Sequence, residues 1–431
     1  MNKVLLKDAN IINFNDSLKK VDILIKNEYI DKISIEPLCA DKETRIINSK
    51  NKLVLPGLIN CHSHIPMTLM RGYADDLPLK RWLNEKIFPA ESNLNSTAVF
   101  FGSILGIIEL IKSGCTTIID MYFFIDDIVK AIDITGFRGL LSLGVLDNKG
   151  KEGLIESEKY FNNYNNALNG RIKVYLGPHA PYTCNPSFLK EIAQLAKKLK
   201  TGVHIHLNET KSEVTEYIKK YQERPIINIE KTGIFDVKTV AAHCVDLSKE
   251  EIDILKKYDV FVAHNPSSNL KLASGIAPIQ KLLNENIKVG LGTDGAASNN
   301  QLNLWQELRL STLLSKVKTR NAESLPAKTA INMLSKIPGK YFWDGTIGDI
   351  KENNYADLII INTDKVNLKP CPSIISNLVY AMYGNEIETV IINGKIIMEN
   401  NKIISFDEKE MIKEAITQCE RVTGKKSFFA T

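Results

Sequence analysis

Between about residues 54 and 345 short apolar runs alternate with helical patterns, eight times over. The runs are LVLPGLI (53 to 59), CTTIID (115 to 120), RGLLSLGVL (138 to 146), IKVYLG (172 to 177), GVHIHL (202 to 207), TVAAHC (239 to 244), VFVAH (260 to 264) and KVGLGTD (288 to 294). Runs of this length, rich in Val, Ile and Leu, suit parallel strands covered on both faces, and Val54, Leu55, Leu58 and Ile59 read as one such strand. Stretches such as AVFFGSILGIIELIKSG, PSFLKEIAQLAKKLK and KEEIDILKKY supply the helices between. Eight such units predict an α/β fold, a (β/α)8 TIM-type barrel, although an open doubly wound sheet gives the same strand-by-strand pattern. The polar residues favour the barrel. His62, His64, Asp120, His179, His206, His243, His264 and Asp294 all fall at or just beyond the carboxyl ends of these runs, which a closed barrel gathers on one face.

Two of those ends carry His-x-His. Strand side chains alternate faces, so His62 and His64 point the same way and can share one metal ion. His204 and His206 repeat the spacing. With seven histidines in 431 residues, random placement gives roughly 0.1 such pairs. A catalytic zinc site needs three or four nitrogen or oxygen ligands and one open position; His62, His64, His206 and Asp294 supply that number. A bound cation lowers the pKa of water from 15.7 to about 7, roughly 12 kcal/mol in favour of hydroxide. Glu209, three residues past His206, can reach the open position without being a ligand. His243 ends a separate strand, and Gly295 after Asp294 predicts a flexible turn that lets the carboxylate approach. Acid and base groups around such a cation make hydrolysis the expected chemistry. His179 lies between two prolines, where it also reads as stiffening a loop; His264 reads as a neighbour of the ligands, and His204 as packing.

The two chain ends speak a different language. Residues 1 to about 50 and the stretch ending in ETVIINGKIIMENNKII are short strands and hairpins, with Asn393-Gly394 a strong turn signal. They predict a small discontinuous β-sandwich domain built from both ends, residues 1–53 and 346–405, around the barrel at 54–345. Residues 406–431 read as a C-terminal helix and tail. The 55 basic and 50 acidic residues are scattered with no basic block, which argues against nucleic acid as a partner. The start lacks a long apolar core, no helix is long enough to span a bilayer, and seven cysteines without C-x-x-C argue against a disulfide framework. The expected compartment is the cytoplasm, with no membrane partner.

PGLINCHSHIPMTLMRGYADDLPLKRWL, GPHAPYTC, HIHLNET, AAHC, HNPSSNLKLASG and LGTDGAASNN together resemble the amidohydrolase superfamily. More closely they resemble its nucleoside deaminase branch, which acts on 5'-methylthioadenosine, S-adenosylhomocysteine and 5'-deoxyadenosine. The resemblance covers almost the whole chain. It implies one divalent metal per subunit held by His62, His64, His206 and Asp294, with Zn2+ expected and Fe2+, Mn2+ or Co2+ as alternatives. It implies that Glu209 protonates the purine N1, that His243 and Asp294 orient and deprotonate the water attacking C6, and that ammonia leaves. Glu91 would bind the ribose hydroxyls, His179 would contact the nucleoside, and the subunits would form a homo-oligomer, a tetramer in relatives.

Departures from the pattern refine this. IKVYLGPHAP has no lysine at its end to be carboxylated, which favours one metal over two. Where relatives that accept S-adenosylhomocysteine place two arginines, this chain aligns Leu143 and Ile155, so a carboxylate tail would be desolvated without a cationic partner. Small apolar 5' groups are expected, 5'-deoxyadenosine before 5'-methylthioadenosine. Alternatives are a hydrolase of the same branch acting on guanine, cytosine or a chlorinated triazine, and a non-catalytic scaffold.

Overall fold

The computed structural model describes residues 2–12 and 16–428. Eight parallel strands, β1 (Leu58–Ser63), β2 (Cys115–Tyr122), β3 (Arg138–Val145), β4 (Ile172–Pro178), β5 (Val203–Leu207), β6 (Thr239–His243), β7 (Phe261–His264) and β8 (Val289–Leu291), pair in sequence order. The ring closes just past β8, where the backbone N–H groups of Thr293 and Asp294 both donate to the carbonyl of His62, at 3.1 and 3.0 Å. Asn60 ties the same seam from its side chain, accepting from the Thr293 N–H at 3.0 Å and donating to its hydroxyl at 2.8 Å. This decides for the barrel over the open sheet. The helices pack outside by their apolar stripes, as in Pro186–Leu199, which buries Phe188, Leu189, Ile192, Ala193 and Ala196 at the spacing of one helical face.

The run from 53 to 59 is not one strand. Lys52–Pro56 pairs antiparallel with Leu358–Asn362 in a second sheet, and Leu58–Ser63 begins the barrel. The break comes at Gly57, where a Cβ would lie 2.2 Å from the Thr116 hydroxyl. The run looked continuous because Lys52–Pro56 is also buried on both faces: Leu53 and Leu55 join the main core, while Val54 joins the core of the second sheet.

That second sheet has nine strands drawn from both chain ends. Its core contains Val4, Leu6, Ile23, Ile25, Val54, Leu358, Ile360 and Ile391 and no helical residue, so the sheet closes over its own apolar face, as a sandwich does. Asn393 (φ 51°) and Gly394 (φ 74°) form the anticipated turn between Ile387–Ile392 and Lys395–Glu399. Arg45–Asn48 is a strand the sequence did not announce. Expected helix through LPAKTAINMLSKI is instead broken: Ala327–Ala330 and a 3-10 turn end at Ser335 (φ −148°), and Lys336–Trp343 begins a new helix. The final helix is Glu408–Thr423; residues 429–431 of the expected tail lie outside the described residues.

Barrel and sheet are joined at the amino ends of the strands by a buried ion pair. Arg138 of β3 holds Asp357 through Nε at 2.8 Å and Nη2 at 3.2 Å, and donates to Asn393. Among the described residues no single helix is long and apolar enough to cross a membrane.

Candidate metal centre and cleft

His62 and His64 leave β1 toward the barrel axis, where His206 of β5, His243 of β6 and Asp294 beyond β8 meet them. His64 Nε2 lies 3.2 Å from His206 Nε2, and Asp294 Oδ1 lies 3.4 Å from His62 Nε2 and 3.2 Å from His64 Nε2. Ligand atoms of His62, His64 and Asp294, and of His62, His206 and His243, fall within 4.8 Å of one another. The four expected ligands are thus brought together, and His243 stands beside them.

Each ring is turned by its other nitrogen. His64 Nδ1 donates to the Met121 carbonyl at 2.6 Å and His206 Nδ1 to the His179 carbonyl at 2.7 Å; a carbonyl only accepts, so both Nδ1 atoms carry the hydrogen. The two Nε2 atoms therefore face each other, and either a shared proton or a metal ion bound by both lone pairs reconciles them. His62 Nε2 is buried without a hydrogen bond, while its Nδ1 meets His204 Nε2 at 2.8 Å. His204 is therefore more than packing: it aims His62. The shared parity of 204 and 206 along the strand was the signal for this.

The charges agree. Burial pushes His62 down to about 3 and His206 well below the usual histidine range, the latter helped by the neighbouring rings, so both stay neutral donors. Burial works against the Asp294 carboxylate, yet His62 and His64 hold it well below the usual range. Burial also opposes charge on His64, but Asp294, the Met121 carbonyl and Asp120 outweigh it and raise it to about 9. In the metal-free protein a proton there balances Asp294. Neutral imidazoles, a carboxylate and an orphaned Nε2 fit a divalent ion.

Asp294 is fixed from behind. Its Oδ2 accepts the hydroxyls of Ser268 (2.6 Å) and Ser298 (2.8 Å), leaving Oδ1 to the histidines. At the expected turn Asp294 itself takes the left-handed backbone (φ 58°), and His243 does the same (φ 73°). Gly295 serves close packing, since a Cβ there would lie 2.6 Å from Met67 Sδ. His243 Nδ1 bonds to Asn269 Oδ1 at 2.8 Å, which turns Nε2 toward Glu209 Oε2, 4.0 Å away. Ser268, Ser298 and Asn269 escaped the sequence reading, because nothing in their spacing says which side chain they face.

From this cluster a cleft runs outward beneath the segment Leu79–Glu91, whose Trp82, Leu83 and Phe88 roof it. Glu209 and His179 line it, and so does Glu91, which accepts the Tyr122 hydroxyl at 2.8 Å. Burial raises both Glu209 and Glu91, opposed at Glu209 by His243 and at Glu91 by Tyr122. His179 is pushed down to about 4 by burial, and its Nδ1 meets the Thr183 hydroxyl. His264 is buried at the end of β7 and belongs to neither ligand group. Among the described residues no lysine or arginine lines the cleft itself, while an adjoining hollow that shares Leu79, Leu83, Phe88, Tyr182 and Leu272 with it is lined by Lys80, Lys211 and Lys220. Leu143 is buried in β3 and Ile155 lies 68% exposed on the helix Gly150–Tyr164. Neither lines the cleft in this chain.

The model of the amidohydrolase family matches residues 53–397. A protein of Dictyoglomus turgidum named 5-methylthioadenosine/S-adenosylhomocysteine deaminase is 44% identical over 96% of this chain and 97% of its own. One of Methanocaldococcus jannaschii named 5'-deoxyadenosine deaminase is 46% identical over 92% of this chain and 95% of its own. The crystal structure of an adenosine deaminase from Xanthomonas campestris with bound zinc superposes with a TM-score of 0.92 at 28% identity, covering 98% of this chain and 99% of that one.

Proposed function

The chain belongs to the amidohydrolase family, and from that premise we propose that it hydrolyses the 6-amino group of 5'-substituted adenosines, giving the inosine analogue and ammonia. The observation that carries this reading is the cleft itself. Its lining brings His64, His206, His243 and Asp294 together with two carboxyls, the buried Glu209 and the half-buried Glu91. A purine nucleoside offers a ring for Glu209 and ribose hydroxyls for Glu91, and the relatives above are named as deaminases of such nucleosides.

A divalent ion, proposed as Zn2+ and held by His62, His64, His206 and Asp294, would lower the pKa of the attacking water. This chain's residues do the rest. Glu209, whose carboxyl burial pushes above the usual range, is placed to hand a proton to the purine N1, so that negative charge does not build up on the ring. His243, with Nδ1–H held by Asn269, presents Nε2 to take a proton from the water. Asp294, its Oδ2 held by two serines, keeps one oxygen aimed at the reacting centre. Glu91 accepts from the ribose hydroxyls, and Tyr122 fixes its rotamer. Among the described residues no cation lines the cleft itself, so an ionised 5' tail confined there would lose its water shell without a partner, and small apolar 5' groups are favoured.

Ammonia release from a panel of 5'-deoxyadenosine, 5'-methylthioadenosine, S-adenosylhomocysteine, adenosine, guanine and cytosine, with metal content measured on the same sample, tests this. Turnover of 5'-deoxyadenosine and 5'-methylthioadenosine above the rest is expected. Turnover confined to the free bases would replace the reading by the alternative of another ring.

A further inference from the structure

Gly144 is a glycine that the fold does not require. It lies in β3 beside Gly177 of β4 and lines the cleft. A Cβ built on it meets nothing nearer than Phe123 Cε1 at 3.6 Å, Met121 Cγ at 3.7 Å and the Tyr122 carbonyl at 3.8 Å, and its φ lies outside the left-handed region. Other glycines in or beside the barrel strands are different. At Gly57, Gly139, Gly177, Gly202, Gly290 and Gly292 a Cβ would come within 2.8 Å of another atom, so those positions are set by packing. A glycine inside a strand weakens it and commonly marks a place where a ligand approaches the backbone closely.

We propose that Gly144 sets the largest 5' substituent the enzyme accepts, by leaving an apolar niche bounded by Met121, Phe123 and Leu146. The inference rests on the nucleoside reading above. With the reacting ring at the histidines and the ribose hydroxyls at Glu91, the 5' carbon is the part of the substrate left to reach the rim of β2 and β3. Tyr122, the partner of Glu91, is the residue whose carbonyl borders the niche. Met121, Phe123 and Leu146 offer apolar contact to a methyl or alkylthio group, and a Cβ on Gly144 would sit at ordinary contact distance from its neighbours, so a side chain added there takes the room such a group would use.

Gly144→Ala, Gly144→Val and Leu146→Ala are compared with the wild type on 5'-deoxyadenosine, 5'-methylthioadenosine and 5'-isobutylthioadenosine, after metal content and thermal denaturation are checked. One or two added carbons in a hydrophobic pocket change discrimination by about 10–200-fold. Gly144→Val is expected to lower kcat/KM for 5'-methylthioadenosine at least ~10-fold more than for 5'-deoxyadenosine, mainly through KM, with Gly144→Ala between. Leu146→Ala is expected to raise the relative kcat/KM of the isobutylthio compound, and this arm stands even where Gly144→Val fails to fold. A wild type active on these nucleosides, with ratios unmoved by Gly144→Ala and Leu146→Ala, overturns the niche and leaves the function intact. A wild type releasing no ammonia from any of them overturns both.

Discussion

Glu209 in the cleft and His204 behind it make opposite demands on experiment. Glu209 is assigned a proton in flight, so Glu209→Gln should lower kcat by about 10²–10⁴-fold with metal content unchanged; ammonia release beside elemental analysis reads both. His204 touches no substrate. It aims a ligand, and loss of such a partner typically costs 10–100-fold in metal affinity. His204→Ala should therefore lose metal to a chelator at lower concentration than the wild type and regain turnover in excess metal; equal retention would return His204 to packing. The convergence of His62, His64, His206 and Asp294 was legible in the sequence because strand parity and strand ends coincide with the residue types a metal needs. The serines behind Asp294 and the amide behind His243 were not, because their role depends on contacts between distant strands.

Helix Lys211–Tyr221 begins with a capping box, in which the Thr210 hydroxyl accepts from Glu213 N at 3.0 Å and the Glu213 carboxyl accepts from Thr210 N. Burial, and then repulsion from Glu209, raises Glu213 to about 8. A carboxyl raised in the folded state contributes stability that is fully present below its ordinary value near 4.5 and is lost as pH rises toward 8. Glu213→Gln keeps the acceptor of the cap and removes the titration. Its melting temperature relative to wild type should thus be higher at pH 8 than at pH 5, and an unchanged difference between the two pH values would refute the assignment. Elements were legible wherever one face met water, as in Pro186–Leu199. Burial on both faces hid the break at Gly57, where one apolar run serves two cores.

Across the whole molecule, barrel and sheet are coupled by Arg138 and Asp357, both almost fully buried. Removing one partner leaves the other charged and unpaired, which costs about 3–5 kcal/mol. Asp357→Asn should accordingly lower the midpoint of urea unfolding far more than Asp344→Asn, whose partner Lys238 is half exposed. The closed barrel was only half legible: eight units could be counted, but closure is a matter of one seam. That seam runs through the metal centre, since the carbonyl of His62 accepts from Asp294. On a ribosome adding ~5–20 residues per second, tens of seconds separate the making of those two residues. A nascent chain consequently cannot complete the donor set until residue 294 has been made and the seam has closed.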